Sequence, residues 1–210
     1  MRLLRFNARV RGLFSGGSDG NERLTAATAA VLLVLLAVEG LTLLAIRQLL
    51  LPHVFLGFLL IPPVLLKLAS TSWRMSRYYR RSEEYVRRGP PALLLRVVVA
   101  PVTVVSTVAL FATGVAGVAL GHGGLLLGLH KASFIVWVGA MTIHVLAHAR
   151  ELPRLVAVDW WRRDSLGGRR ARQLVLAATL VFGLALAVVA VPLADHWQDS
   201  VSALAGIDAS

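Results

Sequence analysis

Two pairs of polar side chains interrupt long apolar segments of the sequence, and the members of each pair are fourteen residues apart: His53 with Lys67, and His130 with His144. An α-helix rises about 1.5 Å and turns about 100° per residue, so fourteen residues climb roughly 20 Å and return to nearly the same face. Each segment therefore presents one shallow and one deep ligand-capable group on one face. Because an ionisable group costs about 2.5–3.5 kcal/mol at the centre of a membrane helix, such positions are candidates for function.

The elements that carry these residues are predicted to be membrane helices. The chain has 210 residues, 57% of them hydrophobic, with a mean hydropathy of +0.71, and its apolar residues form blocks instead of periodic stripes. A helix needs about 20 apolar residues to cross a bilayer. We predict an all-α membrane bundle of five spans with a four-helix cofactor-binding core and no separate soluble domain. The predicted spans are 24–46, 49–70, 97–120, 125–149 and 174–194.

Arginine placement predicts how the bundle is oriented. Five arginines precede the first span, seven lie between the second and third spans, and seven lie between the fourth and fifth, whereas the other connections have only Arg47 and Lys131 at their edges. By the positive-inside rule, segment 1–23 is cytoplasmic, 24–195 spans the plasma membrane and 196–210 is an extracytoplasmic tail. The net charge of +11 therefore suits membrane lipid and does not predict nucleic-acid binding.

The histidines offer ligands for a metal cofactor. In this topology His53 and His130 lie at similar depth on two spans that run in the same direction, and two neutral imidazoles facing each other can supply both axial ligands of a haem iron. The sequence contains no cysteine, which excludes thiolate-ligated haem, iron–sulfur clusters and covalently attached haem. We therefore expect one haem b between these histidines. Arg47 and Lys131 either pair with its propionates or extend to lipid headgroups.

The sequence says less about the role of the deeper polar residues. His144 and His148 lie one helical turn apart, roughly 20 to 27 Å below His130. They make a second, inner haem conceivable, with His144 or His148 as one ligand. The matching position on the second span holds Lys67, which ligates only if neutral, pairs with a propionate, or extends from the helix end. The other ligand of an inner haem is left unassigned.

Other polar and small residues near the histidines have two interpretations each. Glu39 either accepts a proton during quinone chemistry or bonds a neighbouring helix, and the second is favoured. Trp137 packs against a porphyrin edge or is an ordinary core tryptophan. Gly57 and Ser133, each about one turn from a histidine, leave space for a flat macrocycle. Small residues of the third span favour ordinary close helix packing: Gly114, Ala116, Gly117 and Ala119.

Short segments around three histidines resemble membrane-bound b-type cytochromes: LPHVFLG around His53, LHKASF around His130 and IHVLAH around His144. The resemblance covers about residues 24–195 and includes cytochrome b561-like proteins, ferric reductase-like transmembrane domains and the cytochrome b subunits of formate dehydrogenase and hydrogenase. It implies two haems stacked across the bilayer and electron transfer between a quinone or soluble donor and an acceptor on the other side. Lys67 departs from the paired-histidine pattern.

Three functions remain open at this point. The first is an electron-transfer cytochrome that serves as a subunit or relay for a partner oxidoreductase, with quinone or ferric reductase activity undecided. The second is a non-redox proton or ion transporter in which Glu39, Lys67, His144 and His148 form a polar route. The third is a membrane scaffold that anchors enzymes through its arginine-rich loops. The equal depth of His53 and His130 favours the cytochrome.

Overall fold

The computed structural model describes residues 17–86, 93–120, 124–149 and 168–207, and the regular structure in these ranges is helical. Five of its segments are long and apolar enough to cross a membrane, with mean hydropathy of 1.5 to 2.8 over their most apolar stretches. The predicted all-α bundle of five membrane helices is therefore confirmed. The helices are α1 (Gly17–Thr42, continued by a 3₁₀ turn at Leu43–Ala45), α2 (Leu50–Tyr79), the short α3 (Glu83–Val86), α4 (Ala100–Leu120, preceded by a π-helical turn at Leu95–Val99), α5 (Leu125–His148) and α6 (Arg169–Ile207).

Large apolar side chains cover the outside of the bundle, as a lipid environment requires. A water-soluble protein rarely exposes contiguous apolar patches of this kind, whereas lipid tails solvate them well. The residues that are more than 60% exposed on the membrane helices include Leu41, Val105, Ile135, Leu146, Val181 and Val189. Together with the length of the helices, this surface indicates an integral membrane protein.

The helices extend further than the predicted spans. We predicted 49–70 for the second span, but α2 continues to Tyr79. We predicted 174–194 for the last span, but α6 runs from Arg169 to Ile207 and so continues into the predicted tail. Hydropathy detects the part of a helix that lies in hydrocarbon, whereas backbone hydrogen bonding continues into the polar flanks until a residue breaks it.

The helices pack in two groups, and this division positions the site. In the first group α2 packs against α1 and α6, and in the second α4 packs against α5; fewer contacts connect the groups, mainly from α4 to α2 and α6. His53 is in the first turns of α2 and His130 is in the first turns of α5. The two histidines therefore belong to different groups and meet where the groups face each other.

Helices α2 and α6 of the first group approach each other closely at Gly183. A Cβ atom on Gly183 would overlap the backbone carbonyl of Leu59. This carbonyl lacks its usual helical donor, because Pro63 stands four residues later and proline has no N–H. A glycine Cα–H directed at a carbonyl is a recurrent contact where helices cross closely. Gly183 thus lets α6 approach the part of α2 that Pro63 leaves without a hydrogen bond.

Candidate functional site

His53 and His130 lie next to each other between the two groups of helices. Their ring centroids are 6.4 Å apart and their ring planes are nearly perpendicular, at 87°. Both side chains are partly buried. Two histidines that are more than seventy residues apart in the sequence thus lie side by side, one on α2 and one on α5.

Hydrogen bonds fix the protonation of the His130 ring. Its Nδ1 lies 3.0 Å from the carbonyl oxygen of Leu110 and 3.2 Å from Oγ1 of Thr113, both on α4. A carbonyl only accepts, so Nδ1 carries the proton and donates it. Thr113 donates its own hydroxyl to the carbonyl of Ala109, at 2.7 Å, and its oxygen is thereby an acceptor for the same N–H. In this tautomer Nε2 keeps its lone pair.

His53 is held in a similar way, but by α1. Its Nδ1 lies 2.9 Å from Oε1 of Glu39 and 2.9 Å from Oγ1 of Thr42. Thr42 donates its hydroxyl to the backbone carbonyl of Glu39, at 2.6 Å, so its oxygen accepts from the ring. Both acceptors favour the tautomer that is protonated at Nδ1, as in His130. Among the described residues, no hydrogen bond is made to Nε2 of either ring.

The separation of the rings fits two ligands of one metal ion. An imidazole nitrogen binds a metal at about 2 Å, and the ring centre lies about 1 Å behind it, so two imidazoles on opposite sides of one ion have centroids about 6 Å apart. The observed separation is 6.4 Å. No group of three or more His, Cys, Asp or Glu side chains that could hold an ion by itself occurs in the described ranges. Two nitrogens suffice for haem iron, because the porphyrin provides the other ligands.

Small residues around the pair differ in what they contact. A Cβ on Gly114 of α4 would lie 3.1 Å from Cε1 of His130 and 3.4 Å from its Nδ1, so the absence of a side chain there makes room for the ring. Gly57 instead faces Glu39, whose Oε1 would be 3.9 Å from an added Cβ. Ser133 donates its hydroxyl to the backbone carbonyl of His130, at 2.9 Å. The small residue that makes room for the His130 ring, Gly114, is therefore on the neighbouring helix α4.

The deeper residues do not form a second pair of this kind. Lys67 donates to the backbone carbonyl of Thr25 at 3.0 Å, and its own carbonyl accepts from Ser70. The Lys67 amine therefore joins α2 to α1, although it remains close enough to His144 for an electrostatic interaction. His144 and His148 contact each other along α5, with 5.0 Å between ring centroids. The inner haem, which the sequence makes conceivable, stays a hypothesis with its second ligand unassigned.

The remaining predicted residues lie at the edge of the site or outside it. Arg47 and Lys131 are exposed, and both interpretations of them, pairing with propionates and extension to lipid headgroups, stay predictions. Trp137 donates from Nε1 to Oγ1 of Thr107 at 3.0 Å and stacks on Phe134, with 6.4 Å between centroids and 25° between planes. This tryptophan thus joins α5 to α4.

Residues that the sequence did not assign to the site position its two histidines. Thr42 and Thr113 accept from the two histidines, and Gly114 makes room for one of them. One signal was available, because Glu39 and Thr42 are three residues apart and so share a face of α1. For Thr113 and Gly114 no signal in the sequence indicates which helix they face. Four helices, α1, α2, α4 and α5, supply the groups of the site, while α6 packs behind α2.

In comparisons with known proteins, no family model, curated protein or solved structure matches this chain. The fold and the site define its class as a five-helix membrane bundle with two histidines in contact between its two helix groups.

Proposed function

We propose that the protein is a b-type cytochrome that holds haem b between His53 and His130 and transfers electrons within or across the membrane. The observation that carries the proposal is the pair of rings 6.4 Å apart, with both Nδ1 atoms engaged by the protein. Histidine ligands of metals commonly donate their other ring N–H to a carboxylate or a carbonyl, which fixes the ring and increases its basicity. Both rings have such a partner.

The chain and the cofactor have separate tasks in this proposal. The iron supplies the one-electron redox step when haem is bound. Glu39 and Leu110 hold the two rings in the tautomer that directs a lone pair at Nε2, and Thr42 and Thr113 support them. The apolar helices around the site exclude water and provide a medium of low dielectric, which tunes the redox potential.

Further parts of the proposal concern location and partners. We place the protein in the plasma membrane, and the distribution of arginine supports a cytoplasmic N-terminus, an extracytoplasmic C-terminus and a haem in the outer leaflet. The electron donor is a quinone or a partner protein, and the chain serves as a subunit or relay for a partner oxidoreductase. These assignments rest on charge placement and on the resemblance of the histidine segments to membrane-bound b-type cytochromes.

The first test is an absorbance spectrum of the detergent-purified protein, reduced with dithionite minus oxidised, after expression with haem available. We expect the bands of low-spin haem b. A pyridine haemochrome assay counts the haem. A folded but colourless protein would contradict the proposal and favour the transporter or the scaffold.

We predict one haem per chain and no loss of haem in His144→Ala or His148→Ala. Two imidazoles on opposite faces of one porphyrin need centroids about 6 Å apart, whereas these two are 5.0 Å apart on a single helix. The Lys67 amine is held by a backbone carbonyl of α1. A count of two haems, with one lost in His144→Ala, would establish an inner site instead.

Gly114→Ala should weaken haem binding without unfolding the bundle. The added methyl group would lie 3.1 Å from the His130 ring, which is tighter than ordinary contact, so the ring must shift by a few tenths of an ångström. Overpacking typically costs about 1–3 kcal/mol, and we expect a loss of affinity of about fivefold or more in a haem titration. The matched control is Gly117→Ala on the same helix, where nothing lies within 4 Å of the added atom. Equal affinities of the two variants would contradict the assigned role of Gly114.

A further inference from the structure

The two histidines differ in the charge of their hydrogen-bond partners. His130 donates to uncharged acceptors, the Leu110 carbonyl and the Thr113 hydroxyl. His53 donates to a carboxyl group, Glu39, as well as to the Thr42 hydroxyl. A carboxylate is the stronger acceptor, since hydrogen bonds to ionised groups are roughly twice as strong as neutral ones. The site is therefore electrostatically asymmetric.

Glu39 is in an unusual position for a carboxyl group. It lies within the apolar part of α1, and its side chain is 15% exposed. Its second oxygen, Oε2, is buried and has no hydrogen-bond partner among the described residues. Burying a carboxylate is expensive unless a positive charge compensates it. A neutral imidazole makes a good hydrogen bond but provides no such charge.

An oxidised haem bound by His53 would provide the missing charge. Ferric iron in a porphyrin dianion has a net positive charge, which reduction removes. A carboxylate joined to the iron through the His53 ring would therefore stabilise the oxidised form more than the reduced form. The hydrogen bond to Nδ1 acts in the same direction, because it increases the basicity of the ligand.

We propose that Glu39 is a positioning residue that acts through His53 as the counter-charge of the oxidised haem and lowers its midpoint potential. This inference rests on the proposed haem site. It also gives the two ligands different tasks. His53 carries the electrostatic tuning, and His130 is held by neutral groups and the space at Gly114.

The main test is a redox titration of Glu39→Gln, which keeps the shape and an acceptor oxygen but removes the charge. We expect haem to be retained and the ferric-to-ferrous ratio at a fixed potential to fall at least tenfold, which is a rise of about 59 mV for a one-electron couple. The control is Glu83→Gln, which removes a carboxylate from the short helix α3, outside the membrane helices. This control should change the ratio less than threefold.

A second measurement needs no haem. In protein labelled with ¹⁵N-histidine and prepared without haem, the nitrogen shifts of His53 should report a proton on Nδ1, and Glu39→Gln should change these shifts while leaving those of His130 unchanged. This result would support the hydrogen bond even if the substituted protein retained haem poorly. Unchanged His53 shifts would overturn the role of Glu39.

The outcomes separate this inference from the proposed function. If wild-type protein and Glu39→Gln both bind haem and their potentials differ no more than those of wild-type protein and Glu83→Gln, the role of Glu39 is overturned and the cytochrome stands. If the wild-type protein binds no haem, the cytochrome and the role of Glu39 are both overturned. A tenfold change of the ferric-to-ferrous ratio that occurs only in Glu39→Gln supports the cytochrome and the role of Glu39.

Discussion

Replacing either His53 or His130 by alanine is expected to abolish the low-spin haem b spectrum. In the proposed site the two rings, 6.4 Å apart, would each give one nitrogen to a haem iron, and each substitution would remove one of them. Two histidine nitrogens would keep the iron low-spin, whereas a haem held by one histidine would have an open coordination position. We therefore expect a haem content below a tenth of the wild-type value after purification, or a residual high-spin spectrum.

The natural control for this experiment is His148→Ala. It removes a histidine from α5, the helix of His130, at a position that is exposed. We expect full haem content in that variant and comparable thermal unfolding of all four proteins without haem. If either His53→Ala or His130→Ala keeps the wild-type spectrum, the assigned ligand pair is wrong.

Gly183→Leu is expected to prevent stable assembly of α6 with α2. Even the first side-chain carbon would overlap the Leu59 carbonyl, which is backbone and cannot rotate away. Overpacking usually costs about 1–3 kcal/mol, and a leucine forced against backbone is expected to reach or exceed the upper end of that range. The expected result is a large loss of monodisperse protein in size-exclusion chromatography and a lower unfolding temperature in detergent.

Gly139→Leu is the matched control, because nothing lies within 4 Å of a Cβ atom at that position of α5. It makes the same chemical change in another membrane helix, where leucine also has the higher helix propensity. We expect wild-type yield and an equal or higher unfolding temperature. Should Gly183→Leu behave like this control, α6 does not approach Leu59 as closely as described.

The transporter hypothesis loses support from the positions of its residues. It needs Glu39, Lys67, His144 and His148 along one polar route. Glu39 instead accepts a hydrogen bond from His53, and Lys67 donates a hydrogen bond to the backbone carbonyl of Thr25 on α1. His-dependent ion flux in liposomes that contain colourless protein would nevertheless restore it.

The membrane helices could be predicted from the sequence because apolar residues strongly prefer hydrocarbon to water. Apolar blocks of about twenty residues predict membrane helices, because unsatisfied backbone groups are too costly in hydrocarbon for other structures. The prediction was less accurate at the helix ends, where α1, α2 and α6 continue into polar flanks. From the sequence we interpreted Gly57 as a residue that leaves space for a macrocycle and Gly114 as a residue of ordinary helix packing. In the structure Gly114, not Gly57, lies against a histidine ring.

The sequence by itself determined five membrane helices and two histidines at similar depth, because hydropathy and helical rise are properties of a single segment. Only the tertiary structure decided which side chains surround each ring: Glu39 and Thr42 for His53, and Leu110, Thr113 and Gly114 for His130. In lipid every outward face of a helix is apolar, so hydropathy does not indicate which face meets which neighbour. Packing and interhelical hydrogen bonds make that choice, and they involve residues far apart in the sequence.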